Sequence, residues 1–293
     1  MQLSVFSYAE IGSVAPFRTQ LLKWVGNKQR FAHEIVAYFP RDYQTYVEPF
    51  LGSGAVLGTL SPAKGVAADV FRPLMEVWQT LKSSPETVKG WYAERYTLIR
   101  ELGDKAKAYE RVRASYNAGP NGADLLFLCR SCYGGVVRFR QADGYMSTPC
   151  GIHDPIAPRA FSHRVDIWRA RLAGTEFHLS DFEGVMDAAR PGDMVYCDPP
   201  YTHSQAILYG AQSFDIVRLF QVIERCKTRG VYVALSIDGT KQSGNVLCHV
   251  PFPPGLFERE VFVNCGRSML RRFQLAGKTL ETEIVADRLL LTY

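Results

Sequence analysis

The chain has 293 residues, 47% hydrophobic and 22% charged, and a formal net charge of +5. This size and composition suit one large or two smaller globular domains. They exclude a membrane-spanning class, because no apolar run approaches the roughly 20 residues that cross a bilayer. The first residues show no basic segment followed by an apolar one, so a secretory signal peptide is not indicated and a cytoplasmic location is expected.

The positive charge is concentrated in the middle of the chain. Residues 82–172 contain 15 Lys and Arg against 9 Asp and Glu, a net charge of +6, whereas the remainder has 19 against 20. Such a segment indicates a polyanionic partner, and a solvated helical face is the alternative.

Seven cysteines are scattered through the chain, and this odd number indicates reduced thiols in a cytoplasmic protein. The spacing of Cys129, Cys132, Cys150 and His153 would also allow a tetrahedral zinc site. The first two, however, lie in an apolar and helical pattern, where buried thiols are ordinary. We therefore expect no metal, with zinc at these four residues as the alternative.

The first motif in the chain is Lys-Trp-Val-Gly-Asn-Lys at residues 23–28. Its flexible Gly-Asn turn could wrap a small zwitterion, with Lys28 binding a carboxylate and Trp24 covering a flat ring. The alternative is the beginning of a helix with an incidental Trp. A helix over residues 29–38 is predicted next, because apolar residues recur there on one face.

A strand over residues 45–48 leads into Pro-Phe-Leu-Gly-Ser-Gly at residues 49–54 and then into an apolar helix. This order is typical of nucleotide-binding α/β units, and the Gly-x-Gly pair allows the backbone to approach a ligand closely. The third glycine of the dinucleotide fingerprint is absent, and no Gly-Lys-Ser/Thr follows. The turn therefore indicates a nucleoside site without a pyrophosphate and disfavours a nicotinamide oxidoreductase.

A second strand over residues 65–69 ends in Asp69, 15 positions after Gly54. An acid at this place meets ribose hydroxyls in such units. The equal alternative is that Asp69 caps the next helix, which is predicted over residues 72–81.

From residue 83 the alternation of strands and helices stops. Helices are predicted over residues 85–101, 105–116 and 123–133, and a β-hairpin near 134–147 follows, with its turn at 141–144. Such a hairpin can enter a DNA groove, with Arg138 reaching guanine edges or phosphates; an ordinary amphipathic hairpin is the alternative. We therefore predict an inserted, mainly helical target-recognition subdomain at 83–172 and a catalytic domain formed by 1–82 and 173–293.

The strands resume at residues 175–179, after which Asp181 and Phe182 form a candidate purine site or, alternatively, a helix cap. A polar segment at 202–213 is predicted to be a mobile loop. A helix over 216–227, a strand over 231–237 and apolar strands near Phe262 and at 289–291 are predicted to complete the sheet.

The buried strand at residues 193–197 ends in Asp-Pro-Pro-Tyr at residues 198–201. A charged residue and two prolines cannot continue a strand interior, so Asp198 lies at the carboxyl end, where open α/β sheets bind ligands. The Asp198 carboxylate and the Pro199 carbonyl are hydrogen-bond acceptors, and Tyr201 presents a flat ring. This set fits the amino group of a planar base, while the alternative is a strand-ending turn with an exposed Tyr.

Several motifs, in this order, resemble the Dam-like DNA adenine-N6 methyltransferases of the alpha class and D12 type: Lys-Trp-Val-Gly-Asn-Lys, Val-Glu-Pro-Phe-Leu-Gly-Ser-Gly, Asp69, a helical insert and Asp-Pro-Pro-Tyr. The resemblance runs from Leu21 to the end of the chain. It implies an α/β fold with the Rossmann-like sheet of S-adenosylmethionine-dependent methyltransferases. It also implies S-adenosylmethionine as the methyl donor, S-adenosylhomocysteine as the product and double-stranded DNA as the partner of a monomer or weak dimer.

The resemblance assigns roles to individual residues. The donor would contact Trp24, Lys28, Glu48, Pro49, Phe50, Gly52, Gly54, Asp69, Asp181, Phe182 and Asp198. The target adenine would be flipped out of the duplex, because its N6 is paired inside the helix, and would be held by Asp198, Pro199, Pro200 and Tyr201. DNA would contact Lys23, Arg130, Tyr133, Arg138 and Arg140.

One departure from the family pattern concerns the target sequence. Members often carry Arg-x-Cys-Phe/Tyr-Asn-Gly before the recognition hairpin, whereas residues 130–135 here read Arg-Ser-Cys-Tyr-Gly-Gly. Because Gly134 removes a side chain that could contact DNA, a GATC target does not follow from the resemblance. Restriction–modification, phage and epigenetic roles are all compatible with these motifs.

Two other functions stay open at this point. A cytosine-N4 DNA methyltransferase uses the same chemistry, although Asp rather than Ser before Pro-Pro-Tyr favours adenine. A catalytically silent DNA-binding regulator with a residual cofactor site is the other alternative. Protein glutamine methylation is disfavoured, because those enzymes tend to carry Asn at the position of Asp198.

Overall fold

The computed structural model describes residues 14–140, 142–200, 214–241, 246–247, 251–267 and 284–293. Its helices are α1 (Ala32–Val36), α2 (Ala55–Leu60), α3 (Arg72–Ser83), α4 (Pro85–Leu102), α5 (Lys105–Ala118), α6 (Gly122–Ser131), α7 (Pro158–Arg171), α8 (Phe182–Asp187) and α9 (Ile216–Thr228). Its strands are β1 (Tyr46–Glu48), β2 (Gly65–Asp69), β3 (Thr175–Leu179), β4 (Met194–Cys197), β5 (Tyr232–Lys241), β6 (Val246–Leu247), β7 (Arg259–Arg267) and β8 (Ile284–Leu291). None of the described helices is both long and apolar enough to span a membrane.

The strands form one mixed sheet in the order β3-β2-β1-β4-β5-β8-β7, and β6 pairs with β5. The first five strands of this order are parallel, whereas β8 runs antiparallel to both β5 and β7. The chain proceeds outward in one direction from β1 and in the other from β4. These two strands are neighbours, so a crevice opens between the loops that follow them, and open α/β sheets bind ligands there. The predicted Rossmann-like α/β fold is confirmed.

Alternating side chains place the sheet between two apolar layers, as expected of strands that are covered on both faces. On β4, Tyr196 packs into the layer that includes α1 and α3, while Val195 and Cys197 pack into the layer of α8 and α9. On β8, Leu289 and Leu291 face the first layer and Leu290 the second. This alternation decides which side chains can reach one another above the sheet.

Helices α4 to α7 lie between β2 and β3 in the chain and share the first apolar layer with the sheet. The ring of Trp168 on α7 lies 5.3 Å from that of Trp78 on α3, and Tyr92 on α4 stacks on Phe161 at 4.1 Å. The sequence reasoning predicted no helix at α7. Its signal was present, because Pro158 stands at the first turn and apolar residues recur at helical spacing.

The predicted β-hairpin near residues 134–147 is present as an antiparallel return rather than as two regular strands. Isolated bridges join Cys132 to Cys150 and Phe139 to Met146. The N–H of Arg140 donates to the carbonyl of Tyr145 at 2.9 Å. Residue 141, the first of the predicted turn, lies outside the described residues. The core is continuous across residues 82 and 172, and the division into two domains there stays a prediction.

Candidate active site

Three acids stand at the carboxyl edge of the parallel strands. Glu48 ends β1, Asp69 ends β2 and Asp198 directly follows β4. They border one pocket with about 990 Å³ of atom-free space, a figure that includes the open solvent at its mouth. Its walls include almost all of the residues predicted to bind the donor: Trp24, Lys28, Glu48, Pro49, Phe50, Gly52, Asp69, Asp181, Phe182 and Asp198.

The glycine turn forms the floor of this pocket. Gly52 has φ of +47°, and a Cβ added there would lie 3.2 Å from Cδ1 of the Trp24 indole. The first motif and the glycine turn therefore pack directly against each other, which the sequence alone did not show. Gly54 is the N-cap of α2 and is not among the residues that line the pocket, and its contact with the donor stays a prediction.

Asp69 is fixed by two backbone N–H groups, and its contact with a ribose stays a prediction. Its carboxylate accepts hydrogen bonds from the N–H of Gly52 at 3.1 Å and from the N–H of Phe71 at 3.0 Å. The second bond anchors the chain before α3, whereas the first holds the carboxylate against the glycine turn. Asp69 is buried and still lines the pocket, where a ribose would meet it.

An aromatic slot lies at the far end of the pocket. Phe50 stacks on Phe182 with ring centroids 5.3 Å apart, and Phe214 meets both rings edge-on at 5.8 and 6.1 Å. Asp181 caps α8 by accepting the N–H of Glu183 at 3.0 Å, as its alternative interpretation predicted. Arg218 forms an ion pair with Asp181, and its guanidinium carbon lies 4.7 Å from the centroid of Phe182.

Phe214 lines the pocket but was not predicted. It stands at the end of a polar segment that was assigned as a mobile loop. Its position could have been noticed from the sequence, because an aromatic residue directly precedes Asp215, which caps α9.

Lys28 is the buried centre of a cluster of charges. Its Nζ lies 3.0 Å from Oδ1 of Asp198 and 3.1 Å from Oδ2 of Asp287, and only 5% of its side chain is exposed. Burial alone would lower the pKa of Lys28, but the two carboxylates raise it well above its usual range. Lys28 thus contacts two acids of the protein. Its predicted contact with the donor's carboxylate stays a prediction.

The sequence reasoning missed Asp287. It concentrated on the carboxyl ends of parallel strands, whereas β8 is antiparallel and brings its amino-terminal half to the same edge. An acid within the apolar run Val-Ala-Asp-Arg-Leu-Leu-Leu was the available signal.

Glu48 lies beside this cluster with only 2% of its surface exposed. Burial raises the pKa of the Glu48 carboxyl to about 8, the charge of Asp198 adds to this effect, and the hydrogen bond from Tyr46 opposes it. The Tyr46 hydroxyl lies 2.6 Å from Oε2 of Glu48. At neutral pH the Glu48 carboxyl is therefore mostly neutral and can donate a hydrogen bond.

Pro199 and Pro200 also line the pocket, which places the Pro199 carbonyl and the Asp198 carboxylate at one wall. Tyr201, the last residue of the predicted catalytic motif, and the predicted loop at 202–213 lie outside the described residues. Among the residues that the structure describes, no three His, Cys, Asp or Glu side chains are grouped as metal ligands. Cys129 and Cys132, the first pair of the zinc alternative, are buried thiols.

Comparison with known proteins identifies the family of the chain. The family of D12 class N6 adenine-specific DNA methyltransferases matches residues 24–252, well over half of the chain. The chain belongs to this family. Its methyl donor is accordingly S-adenosylmethionine, and DNA is its substrate. The pocket fits this donor, since a carboxylate held at the glycine turn and an aromatic slot suit a ribose and an adenine.

Three relatives illustrate the range of the D12 family. The chain is 26% identical over 197 residues to the DNA N-6-adenine-methyltransferase of Escherichia phage P1, covering 66% of this chain but only 25% of that protein. It is 26% identical over 229 residues to the Retron Ec67 DNA adenine methylase of Escherichia coli, covering 75% and 77% of the two chains. It is 26% identical over 249 residues to the Type II methyltransferase M.MjaIII of Methanocaldococcus jannaschii, covering 76% and 84%.

The residues of this D12 methyltransferase that were predicted to touch DNA divide into two groups. Lys23 and Arg140 are exposed, and Tyr133 and Arg138 are half-buried. Arg130, in contrast, is 6% exposed. The predicted contact of Arg130 with DNA is therefore not available in this structure.

Arg130 instead forms hydrogen bonds inside the protein. Its guanidinium donates to the backbone carbonyls of Gln20 and Leu21 at 3.2 and 2.8 Å. It thereby fixes the segment that precedes the first motif. A basic residue in an apolar helix is ambiguous from sequence, because only the packing decides whether it reaches solvent.

Two exposed cations have neighbours that affect their charge. The aliphatic part of Lys23 lies against Gly135, and burial, followed by the nearby charges of Arg130 and Arg164, lowers the pKa of Lys23. Arg140 pairs with Asp143 at 2.7 Å. The positive charges near Lys23 favour a polyanion at that residue.

Proposed function

We propose that this D12 methyltransferase transfers the methyl group of S-adenosylmethionine to N6 of an adenine extruded from double-stranded DNA, with Asp198 and Pro199 as the acceptors for the amino group. The observation that carries this assignment is the position of Asp198. Its carboxylate and the Pro199 carbonyl share one pocket with the glycine turn and Asp69. Acceptors for an amine and a nucleoside site thus stand side by side.

The pocket suggests how the donor is held. Asp69 suits the ribose hydroxyls, the slot of Phe50, Phe182 and Phe214 suits the adenine, and Trp24 borders the other end, near the acids. When bound, S-adenosylmethionine supplies a methyl group on a positively charged sulfur, an electrophile that needs no metal. The protein then has to position the amine in line with that methyl group.

Asp198 and Pro199 address the weakness of the nucleophile. The lone pair of adenine N6 is delocalised into the ring, and acceptors for its two N–H groups favour a more localised, tetrahedral nitrogen. As the methyl group arrives, positive charge develops on N6, and the negative charge of Asp198 stabilises it. Lys28 lies 3.0 Å from Oδ1 of Asp198 and so orients the carboxylate toward the base.

The same assignment requires the base to leave the duplex, because N6 is paired inside the helix. Lys23, Tyr133, Arg138 and Arg140 form the basic and aromatic surface that we assign to the DNA backbone and groove. Arg140 exchanges Asp143 for phosphate or base when DNA binds.

The family match favours adenine over the cytosine-N4 alternative. The silent-regulator alternative is disfavoured by the active-site residues themselves, since the acids and the glycine turn all border one pocket.

A methylation experiment tests the assignment. The protein is incubated with random-sequence duplex DNA and S-adenosylmethionine, and modified bases are mapped by single-molecule sequencing. We expect N6-methyladenine within one recurring motif for the wild type and none for Asp198→Ala. The variant should fold and still bind the donor, because Lys28 keeps Asp287 as its counter-charge. Methylated cytosine would establish the N4 alternative, and donor binding without any modified base would establish the regulator.

A further inference from the structure

The second acid at Lys28 has no role in the assignment so far. Asp287 lies on β8, opposite Asp238 of β5 and Val263 of β7. It is 8% exposed, and it shares the face of Leu289 and Leu291 in a strand that is otherwise apolar on that side. A carboxylate in such a place costs free energy unless it is paired, and its pair is the ammonium of Lys28 at 3.1 Å.

One carboxylate would suffice to neutralise Lys28. Asp198 alone, at 3.0 Å, would form a complete ion pair with it. Asp287 therefore brings one more negative charge to this ammonium than Lys28 can neutralise. Glu48 adds no such charge at neutral pH, because burial keeps its carboxyl mostly neutral.

We propose that Asp287 is a positioning residue for methyl transfer, which shares the ammonium of Lys28 so that Asp198 remains a negatively charged acceptor for N6. This inference rests on the proposed function of Asp198. In the reaction, the bond between the methyl carbon and sulfur breaks and leaves its electron pair on sulfur, while the lone pair of N6 forms the new bond. Positive charge moves from sulfur to nitrogen, and N6 then loses one proton to solvent, which gives N6-methyladenine and S-adenosylhomocysteine. The additional negative charge of Asp287 on the nitrogen side stabilises that shift, whereas the Asp198–Lys28 pair without it stabilises the shift less.

The substitution Asp287→Asn tests this directly. It removes the charge but keeps a side chain of the same shape, and Lys28 remains paired with Asp198. We expect the single-turnover rate of methyl transfer to fall about tenfold, which corresponds to about 1.4 kcal/mol in the barrier. The concentrations of donor and DNA that half-saturate the enzyme should change less than about twofold, because Asp287 supports the chemical step rather than binding.

Asp193→Asn is the matched control. Asp193 is also buried, at 6% exposure, and accepts hydrogen bonds from the N–H groups of Thr45 and Arg190 at 3.0 and 2.8 Å. It precedes β4 and therefore lies at the opposite edge of the sheet. Its replacement should lower the melting temperature without lowering the single-turnover rate at a temperature where the fold is intact.

The outcomes separate this inference from the function on which it rests. A wild-type rate for Asp287→Asn, in an assay where the wild type methylates DNA, would overturn the role of Asp287 and leave the proposed function standing. An equal loss of rate in Asp287→Asn and Asp193→Asn would also overturn it, because loss of stability would then explain both. If the wild type itself transfers no methyl group to DNA, both proposals fall.

Discussion

The neutral carboxyl of Glu48 makes a quantitative prediction about stability. The ordinary pKa of this group is 4.5, and in the folded protein burial raises the pKa to about 8. Below pH 4.5 both the folded and the unfolded chain hold the proton. Between these two values only the folded chain holds it, so the unfolded state is favoured as the pH rises. Above pH 8 the difference is complete and stays constant.

The substitution Glu48→Gln removes this pH dependence. Glutamine is neutral and of the same shape, and the Tyr46 hydroxyl, which lies 2.6 Å from Glu48, can bond either end of the amide. The free energy of unfolding of the wild type is therefore about 3 kcal/mol lower at pH 7 than below pH 4.5, because pH 7 lies 2.5 units above the ordinary pKa of 4.5. We expect the variant to be more stable than the wild type by about this amount at pH 7.

Urea unfolding followed by circular dichroism, at intervals from pH 5 to pH 9, measures the difference between the two proteins. The difference should grow from pH 5 to pH 8 and then become constant. Glu34→Gln, which changes an exposed residue on α1, is the control and should show no such growth. A difference between wild type and Glu48→Gln that is the same at pH 5 and pH 8 would show that Glu48 is ionised in the fold and would refute the reasoning.

Three further substitutions test the site. Lys28→Met removes the ammonium that Asp198 and the buried Asp287 share, and we expect a loss of about 3–5 kcal/mol in urea unfolding. An unchanged stability would contradict the ion-pair geometry. Gly52→Ala should weaken donor binding, measured by calorimetry, because the added methyl group displaces the Trp24 indole. Gly103→Ala is the control: Gly103 also has a positive φ but no neighbour within 4 Å, so this substitution should lower only the stability. Arg138→Ala should weaken DNA binding or relax the target sequence in titrations at several salt concentrations; unchanged affinity and preference would place recognition elsewhere.

Local motifs were the most predictable part of the molecule. The strand before Asp198 and the glycine turn could each be predicted from a few adjacent residues, because the backbone preferences of Pro and Gly act over such short ranges. Helix α3 was likewise predicted from its apolar spacing and its first residue. The missed α7 and the irregular hairpin belong to the insert, where packing rather than local preference decides the structure.

Side chains far apart in the chain were predictable as types but not as partners. Lys28 was singled out from its motif, yet its partner Asp287 is 259 positions away in sequence and comes from an antiparallel strand. The resemblance implied a DNA contact for Arg130, but a single Arg in an apolar helix carries no information on which way its side chain faces. Its carbonyl partners in residues 20–21 are set only when α6 packs on the amino-terminal segment.

From its residues alone, this chain could be assigned an α/β fold, a nucleoside pocket at a glycine turn and an acceptor pair for an amino group, because each depends on short segments with strong local preferences. The tertiary structure decided the charge state of the site. Burial keeps the carboxyl of Glu48 neutral. The packing of separate strands also places Asp198 and Asp287 within ion-pair distance of Lys28. Burial and distance govern electrostatic energies, and both arise only when separate strands are brought together.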